Sequence, residues 1–232
     1  MIDRYRGPGD LPAEIPVFPL RGAILLPRSE LPLNVFEPRY LEMMDDAISG
    51  RRLIGMIQPD STQVPSESPG GPGESPVGKA APLQRIGCAG RITTFQELPD
   101  GRLRIGLTGI ARFAIARELE QAKPYRVVVA DYSAYAADFA PDGSADQVDR
   151  EQLMRVLKAY LAARQLEADW TMIRRAPLEP LINGLATMSP FGPSEKQALL
   201  EAADIKSRAD VLIALAEMAV ASSHGSGGAT LQ

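Results

Sequence analysis

Four features of this sequence use residue types that carry chemistry: a Gly-x4-Gly-Lys stretch, an acid–base pair at Glu37 and Arg39, a single cysteine and a single histidine. The first, Gly73-Glu74-Ser75-Pro76-Val77-Gly78-Lys79-Ala80, matches the pattern of a phosphate-cradling loop. That chemistry needs a strand leading in, free backbone N–H groups, a hydroxyl for magnesium and a helix leading out. Here Pro76 removes an N–H donor, Ala80 has no hydroxyl, and Ala81-Pro82 blocks a helix. The stretch therefore reads as a loop carrying a lysine, and no cofactor is expected. His224 falls in Ser222-Ser223-His224-Gly225-Ser226-Gly227-Gly228, which reads as part of a flexible tail over 223–232. A nucleophile–histidine pair needs a rigidly held imidazole, and zinc hydrolases need more than one, so neither mechanism is expected. Cys88 has no second cysteine to join, so no intrachain disulfide and no multi-cysteine metal site form. It lies in a strand pattern with Ile86 and Ile92 and reads as a small buried hydrophobe. Glu37 and Arg39 would need a second, placed carboxylate to cleave a sugar, and none is identifiable. They read instead as a helix-start carboxylate and a charge that pins the helix to a sheet. No catalytic residue is assigned.

The bulk numbers narrow the partners. The chain has 232 residues, 45% hydrophobic and 23% charged, enough for one large domain or two small ones. Net charge is −4 with no lysine- or arginine-rich half. Nucleic-acid binding draws on phosphate neutralisation, so no nucleic acid is expected as a partner. The N-terminus lacks the apolar run of a secretory signal, and no stretch reaches the roughly 18 apolar residues that span a bilayer. A soluble, cytoplasmic protein is expected.

The elements that must position these residues change character along the chain. From about Ile15 to Tyr132 the periodicity is two. Leu103, Ile105 and Leu107 alternate with smaller or polar residues, and Leu98-Pro99-Asp100-Gly101 makes a hairpin turn back to a strand over Arg85–Phe95. Gly109 reads as the next turn, Ala111, Phe113 and Ile115 as another strand, and Tyr125–Ala130 as a further one. Short strands joined by tight turns point to a small barrel or folded-over sheet. One helix interrupts them: Pro38 suits its first position, Tyr40, Met43, Met44, Ala47 and Ile48 form its buried stripe, and Gly50 ends it. Over 59–82 the composition collapses to Pro, Gly, Ser, Glu and Thr, a mobile loop by its chain entropy.

From about Asp146 the period becomes helical, with Val148, Leu153, Val156, Leu157, Tyr160 and Leu161 on one face. Further helices are expected over Trp170–Arg175, from Pro177, from a Ser194 cap, and through Ala209–Val220. Met43, Met44, Met154, Met172, Met188 and Met218 are expected mainly in helical cores. The boundary falls in Ala140–Ser144, which gives a β-rich subdomain over 1–140 and a helical one over 145–222. Strands first and helices afterward make an α+β chain. Tyr132, Tyr135 and Phe139, entering the linker, either pack the halves together or line a candidate interdomain groove.

Several stretches in order resemble the N-terminal, substrate-binding domain of Lon proteases, a domain also present in cereblon. They are Ile15-Pro16-Val17-Phe18-Pro19-Leu20, Leu25-Leu26-Pro27, Leu31 to Tyr40 with Phe36-Glu37-Pro38-Arg39-Tyr40, Ile86 to Ile92, Glu97 to Arg102, Thr108 to Phe113 and Glu195 to Glu201. The resemblance implies a twisted, PUA-like β pseudo-barrel with one inserted helix, followed by a C-terminal α-helical bundle. Within it Phe18 and Phe36 are core aromatics, Pro19 and Pro27 shape strand ends, and Glu37, Pro38, Arg39 and Tyr40 set the helix start. The resemblance implies a free-standing module without Lon's ATPase and Ser-Lys protease parts, hence no enzyme, and recognition of protein substrates or of an adaptor or protease partner. A PUA-like RNA-binding module is the alternative.

Overall fold

The computed structural model describes residues 4–60, 81–120 and 122–225. Two compact units divide the chain, Met1–Ala140 and Pro141–Gln232.

The first unit contains β1 (Glu14–Pro19), β2 (Glu30–Val35), α1 (Pro38–Ser49), β3 (Leu53–Ile57), β4 (Ile86–Glu97), β5 (Leu103–Leu119) and β6 (Arg126–Asp131). The strand order is β2-β5-β4-β3-β1-β6, and β6 pairs again with β5. Five strands thus close into a ring, and β2 lies on the outer edge of the first half of β5. All pairs are antiparallel except β1 with β3. Closure depends on the length of β5. One edge of it follows β4 from Leu103 to Ala114, while the other meets β2 over Leu103–Thr108 and then β6 over Ala114–Leu119. Register shifts at Ala89/Gly90, Ile92/Thr94 and Ile115/Arg117 supply the curl, since a bulge bends its strand and raises the local twist.

Gly109 is no turn. It lies inside β5 opposite Gly90, where a Cβ would stand 2.0 Å from the Leu26 carbonyl oxygen. The chain before β2 crosses here: Arg28 N–H donates to Gly109 O at 3.0 Å and Gly109 N–H donates to Ser29 O at 2.9 Å. Glycine serves close approach, not reversal. Gly55 and Gly87 do the same for Phe113, whose ring would lie 2.9 Å and 2.8 Å from their added Cβ atoms. That ring joins Ile15, Val17 and Val128, all fully buried, at the centre of the core. The Leu98–Gly101 turn is present, with Gly101 at φ 79° and its N–H donating to Leu98 O. Gly50 ends α1 but at φ −106°, and the left-handed residue is Arg52 at φ 59°. The β3 strand is buried along its whole length, so it has no polar alternation to announce it.

The second unit holds a 3-10 turn (Gly143–Gln147), α2 (Arg150–Ala163), α3 (Trp170–Arg175), α4 (Leu178–Met188), α5 (Pro193–Glu201) and α6 (Ile205–Gly225). Acidic side chains cap it: Asp149 accepts from Gln152 N–H, Asp169 from Thr171 N–H and Asp204 from Ser207 N–H. Because Asp149 is the cap, Val148 precedes α2 although it is buried. Ser194 is not the cap of α5. Gly192 takes that place with Pro193 behind it, and the Glu195 carboxylate accepts the Gly192 N–H at 2.6 Å. At the other pole, Arg150 donates to the carbonyls of Ile173, Arg174 and Ala176 at the end of α3. Buried Arg208 ties three helices, donating from α6 to Leu199 O and to Asn183 Oδ1. Lys196 donates to Thr187 O at the end of α4, and burial holds its ammonium below the ordinary lysine value. α6 runs through Gly225, so 223–225 belong to the helix and not to a tail. Met43 and Met44 are buried, but Met172, Met188 and Met218 are not core: they are 68%, 85% and 64% exposed. No helix among the described residues is long and apolar enough to cross a membrane.

Gly109→Ala should destabilise the first unit by roughly 3 kcal/mol, the upper end of overpacking, because the obstacle is a backbone carbonyl. Gly7→Ala, with nothing within 4 Å, should leave the urea midpoint unchanged. Equal midpoints for the two variants would contradict the close-approach reading.

Candidate functional site

The Phe36–Tyr40 segment leads from β2 into α1. Val35 is buried as the last residue of its strand, and Pro38 opens the helix with Glu37 as its cap residue. The Glu37 side chain accepts no N–H from the helix. It pairs instead with Arg39, 2.7 Å from its terminal nitrogen and 2.9 Å from Nε. The charges thus satisfy each other locally, and the contact that pins α1 is aromatic. Tyr40 is buried with its ring centroid 4.4 Å from that of Phe18 on β1, and Arg39 covers the other part of the ring at 4.5 Å. Burial raises the Tyr40 hydroxyl above the ordinary phenol value, with Arg39 opposing. Pro19 closes β1, and Pro27 occupies the turn from Leu26 to Ser29, followed by Arg28 at φ 61°. Phe36 departs from expectation. It is 58% exposed and is not a core aromatic, because it stands beyond the last paired residue of β2.

A second charged group fastens the far side of α1. Asp46 accepts from Lys123 Nζ at 2.8 Å and from the Tyr125 hydroxyl just before β6. Hydrogen bonding from Lys123, then from Tyr125, holds the Asp46 carboxyl below the ordinary carboxylate value.

Tyr132, Tyr135 and Phe139 lie in or beside the 3-10 segment Ser133–Phe139. Tyr132 is buried in the first unit's core, edge-on to Phe113 at 6.1 Å, and Phe139 packs against the same core. Tyr135 stacks under the Arg112 guanidinium at 5.0 Å. What holds the segment is a pair that no motif announced. Arg112 on β5 is 4% exposed, and the Asp138 carboxylate accepts its backbone N–H at 2.9 Å, its Nε at 2.9 Å and a terminal nitrogen at 2.7 Å. Arg28 donates to the Asp138 carbonyl at 2.6 Å. Burial opposes the charge on Arg112, but the bond and charge of Asp138 outweigh it and hold the guanidinium above its ordinary value. The signal was there in principle: Arg112 interrupts an apolar strand run, and charges at such positions need partners.

Two aromatics in the first unit face water, Phe36 and Phe95, the latter 48% exposed. Register places them at one end of β2-β5-β4. Val35 pairs with Leu103 and Leu103 with Glu97, so Phe36 follows that row and Phe95 precedes it by two residues. Rigid, exposed aromatic surface at a sheet end is what protein contacts use, each ring offering on the order of 150–250 Å² of apolar area. Cys88 is fully buried across from Arg112. The Gly73–Lys79 stretch lies outside the described residues; its flanks meet in a bridge between Pro59 and Leu83. Among the described residues no group of acidic, histidine or cysteine side chains is arranged to hold a metal.

The architecture defines the class: an α+β protein made of a β pseudo-barrel with one helix, followed by a helical region. The particular family follows from the sequence. The profile of the ATP-dependent protease La (LON) substrate-binding domain matches residues 14–217, and the chain belongs to that family. It is 28% identical over 211 residues to a Lon protease of Dictyoglomus thermophilum, covering 86% of this chain and 24% of that protein. It is 27% identical over 213 residues to Lon protease 2 of Myxococcus xanthus, again spanning 24% of its length. The chain thus spans about a quarter of the curated relatives it matches. Its fold is similar to a Lon N-terminal domain protein from Xanthomonas campestris, with TM-score 0.57 and 22% identity over 87% of this chain and 97% of that one. It is similar also to the N-terminal domain of a Mycobacterium avium complex Lon protease, with TM-score 0.60 and 17% identity over 88% and 98%.

Asp138→Asn should cost about 3–5 kcal/mol by stranding Arg112 in the core, and Arg112→Met with Asp138→Leu should recover most of it. Urea midpoints of the single and double variants check this; a double variant no better than the single one would show that the pair does not act as a unit.

The folded Asp46 carboxyl titrates below the ordinary carboxylate value, so as pH falls the unfolded chain takes up the proton first. Its contribution is therefore present above that value and lost as pH falls through the folded one. Asp46→Asn should lower the melting temperature at neutral pH, and the gap to wild type should close in acid. A gap independent of pH would exclude this linkage.

Proposed function

We propose that this chain is a non-catalytic protein-binding module that recognises polypeptide substrates or a partner protein. The match of residues 14–217 to the LON substrate-binding domain carries the reading. Support comes from the first unit, where Phe36 and Phe95 present apolar surface at one end of a rigid sheet. Aromatic rings lose little rotamer freedom on contact and dominate many protein interfaces, so each of these two suits an exposed apolar segment of another chain. A ring of strands is a stiff mount, and binding there needs no reordering of the scaffold. The role assigned to this chain is recognition, in the cytoplasm. Phe18, Pro19, Pro27, Glu37, Pro38, Arg39 and Tyr40 serve architecture in this reading, and Phe36 alone of the motif serves contact.

Fluorescence anisotropy of a labelled, reduced and alkylated protein that stays unfolded tests it directly. The full chain should bind, and Phe36→Ser with Phe95→Ser should weaken binding roughly tenfold, the effect of removing about 1.4 kcal/mol of contact. Melting temperatures should change little, because both rings are exposed. If neither the unfolded probe nor any protein in a pull-down binds the wild-type chain, the reading fails.

A further inference from the structure

Although the net charge of the chain is −4, the first unit gathers arginines from three separate segments at one place. Arg91 on β4 is the hub. One of its terminal nitrogens donates to the Tyr5 hydroxyl at 3.0 Å and to the Arg51 carbonyl at 3.0 Å. The next residue, Ile92, donates its N–H to the Arg52 carbonyl at 2.8 Å. Arg4 lies over the Tyr5 ring, 5.4 Å from its centroid. Tyr5 is buried, whereas Arg4, Arg6, Arg51 and Arg52 are exposed. None of these five arginines forms an ion pair among the described residues, and both acceptors of Arg91 are neutral. The carboxylates closest in sequence do not offset them. Asp10 accepts the N–H groups of Arg6 and Gly7, Asp46 holds Lys123 and Tyr125, and exposed Asp45 pairs with none of the five. The C-terminal end of α1 favours positive charge at Arg51 and Arg52. That preference does not account for Arg4 and Arg6 arriving from the amino-terminal segment, nor for Arg91 arriving from β4.

We propose that this arginine patch binds an acidic segment, a short run of Asp and Glu, in the polypeptide that the chain recognises. It rests on the reading of the chain as a protein-binding module and adds the chemistry of the segment bound. A guanidinium group offers a planar fork of donors that matches a carboxylate, and its charge survives at every ordinary pH. The four exposed arginines stand on the open surface on long side chains, which suits several carboxylates spaced along a peptide. Two features favour a peptide over a nucleic acid. Single strands stack their bases on exposed aromatic rings, and the ring of this patch, Tyr5, is buried beneath Arg4. The patch is also local. Charges are screened beyond about 8 Å at physiological salt, so a short acidic segment meets the arginines alone. A longer polyanion runs on over a surface whose overall charge repels it.

Fluorescence anisotropy of the full chain with a rhodamine-labelled peptide of alternating Glu and Gly tests it, beside a control peptide with Lys in place of Glu. At low salt the acidic peptide should bind saturably below about 1 mM, and the basic one should not bind. Arg51→Glu with Arg52→Glu should weaken binding roughly tenfold or more, and raising salt from about 50 to about 300 mM should do the same. Arg4→Glu, on a different segment, should weaken it roughly threefold. Melting temperatures should stay unchanged, because these side chains are exposed. Phe36→Ser with Phe95→Ser should leave the acidic peptide's affinity as it was. If the acidic peptide fails to bind while the unfolded protein probe still binds, this proposal alone is overturned; if both fail, the reading beneath it falls too. Binding indifferent to the charge reversals on either segment overturns it as well. So does a single-stranded oligonucleotide of similar charge that binds more tightly through the same arginines.

Discussion

Everything in the first unit depends on one long strand meeting three neighbours. β5 keeps β4 on one edge for most of its 17 residues and exchanges β2 for β6 on the other. The exchange leaves a gap in the ladder near Gly109, where the chain before β2 crosses and takes both backbone hydrogen bonds of that residue. A sheet with unpaired edges exposes N–H and C=O groups to any passing strand, and closing five strands into a ring removes most of that exposure. Closure in turn requires curl, hence the bulges, and requires contact between backbones, hence the glycines around Phe113 and Leu26.

Arg112 follows from the same constraint. It lies on β5 just past the crossing, and its charge is buried by the 3-10 segment that covers this part of the ring. Asp138 meets three of its donors, and Arg28 from the crossing segment holds the Asp138 carbonyl. The strand, the crossing and the covering segment are therefore tied at one point. Replacing such a buried pair by apolar residues is often harmless, so its value lies as much in specifying which segment lands there as in net stability.

The Phe36–Tyr40 motif divides between two tasks. Tyr40 turns inward onto Phe18, and Glu37 and Arg39 neutralise each other, whereas Phe36 is left in water. The residue that contributes least to packing is the one with apolar surface free for another chain. In the helical unit the exposed methionines follow the same logic: Met172, Met188 and Met218 lie where helical periodicity alone does not bury them. Met172 lies on the short α3, Met188 ends α4 and Met218 lies on an outer face of α6.

By itself the sequence determined the order of strands then helices, the hairpin at Leu98–Gly101, the helix opening at Pro38, the short helix over Trp170–Arg175 and the family, because each rests on local periodicity, turn chemistry or ordered motifs. It could not distinguish a glycine that turns from one that lets backbones touch, so Gly109 read as a turn until Leu26 was placed against it. β3 carried no alternation because both its faces are covered, and Ser194 lost its capping role to Gly192 and Glu195 within one turn of the chain. Closure of the ring, the partnership of Arg112 with Asp138 across 26 residues, and the exposure of Phe36 were decided by tertiary structure alone. Burial and pairing between distant segments are properties of the assembled ring, and no window of neighbouring residues contains them.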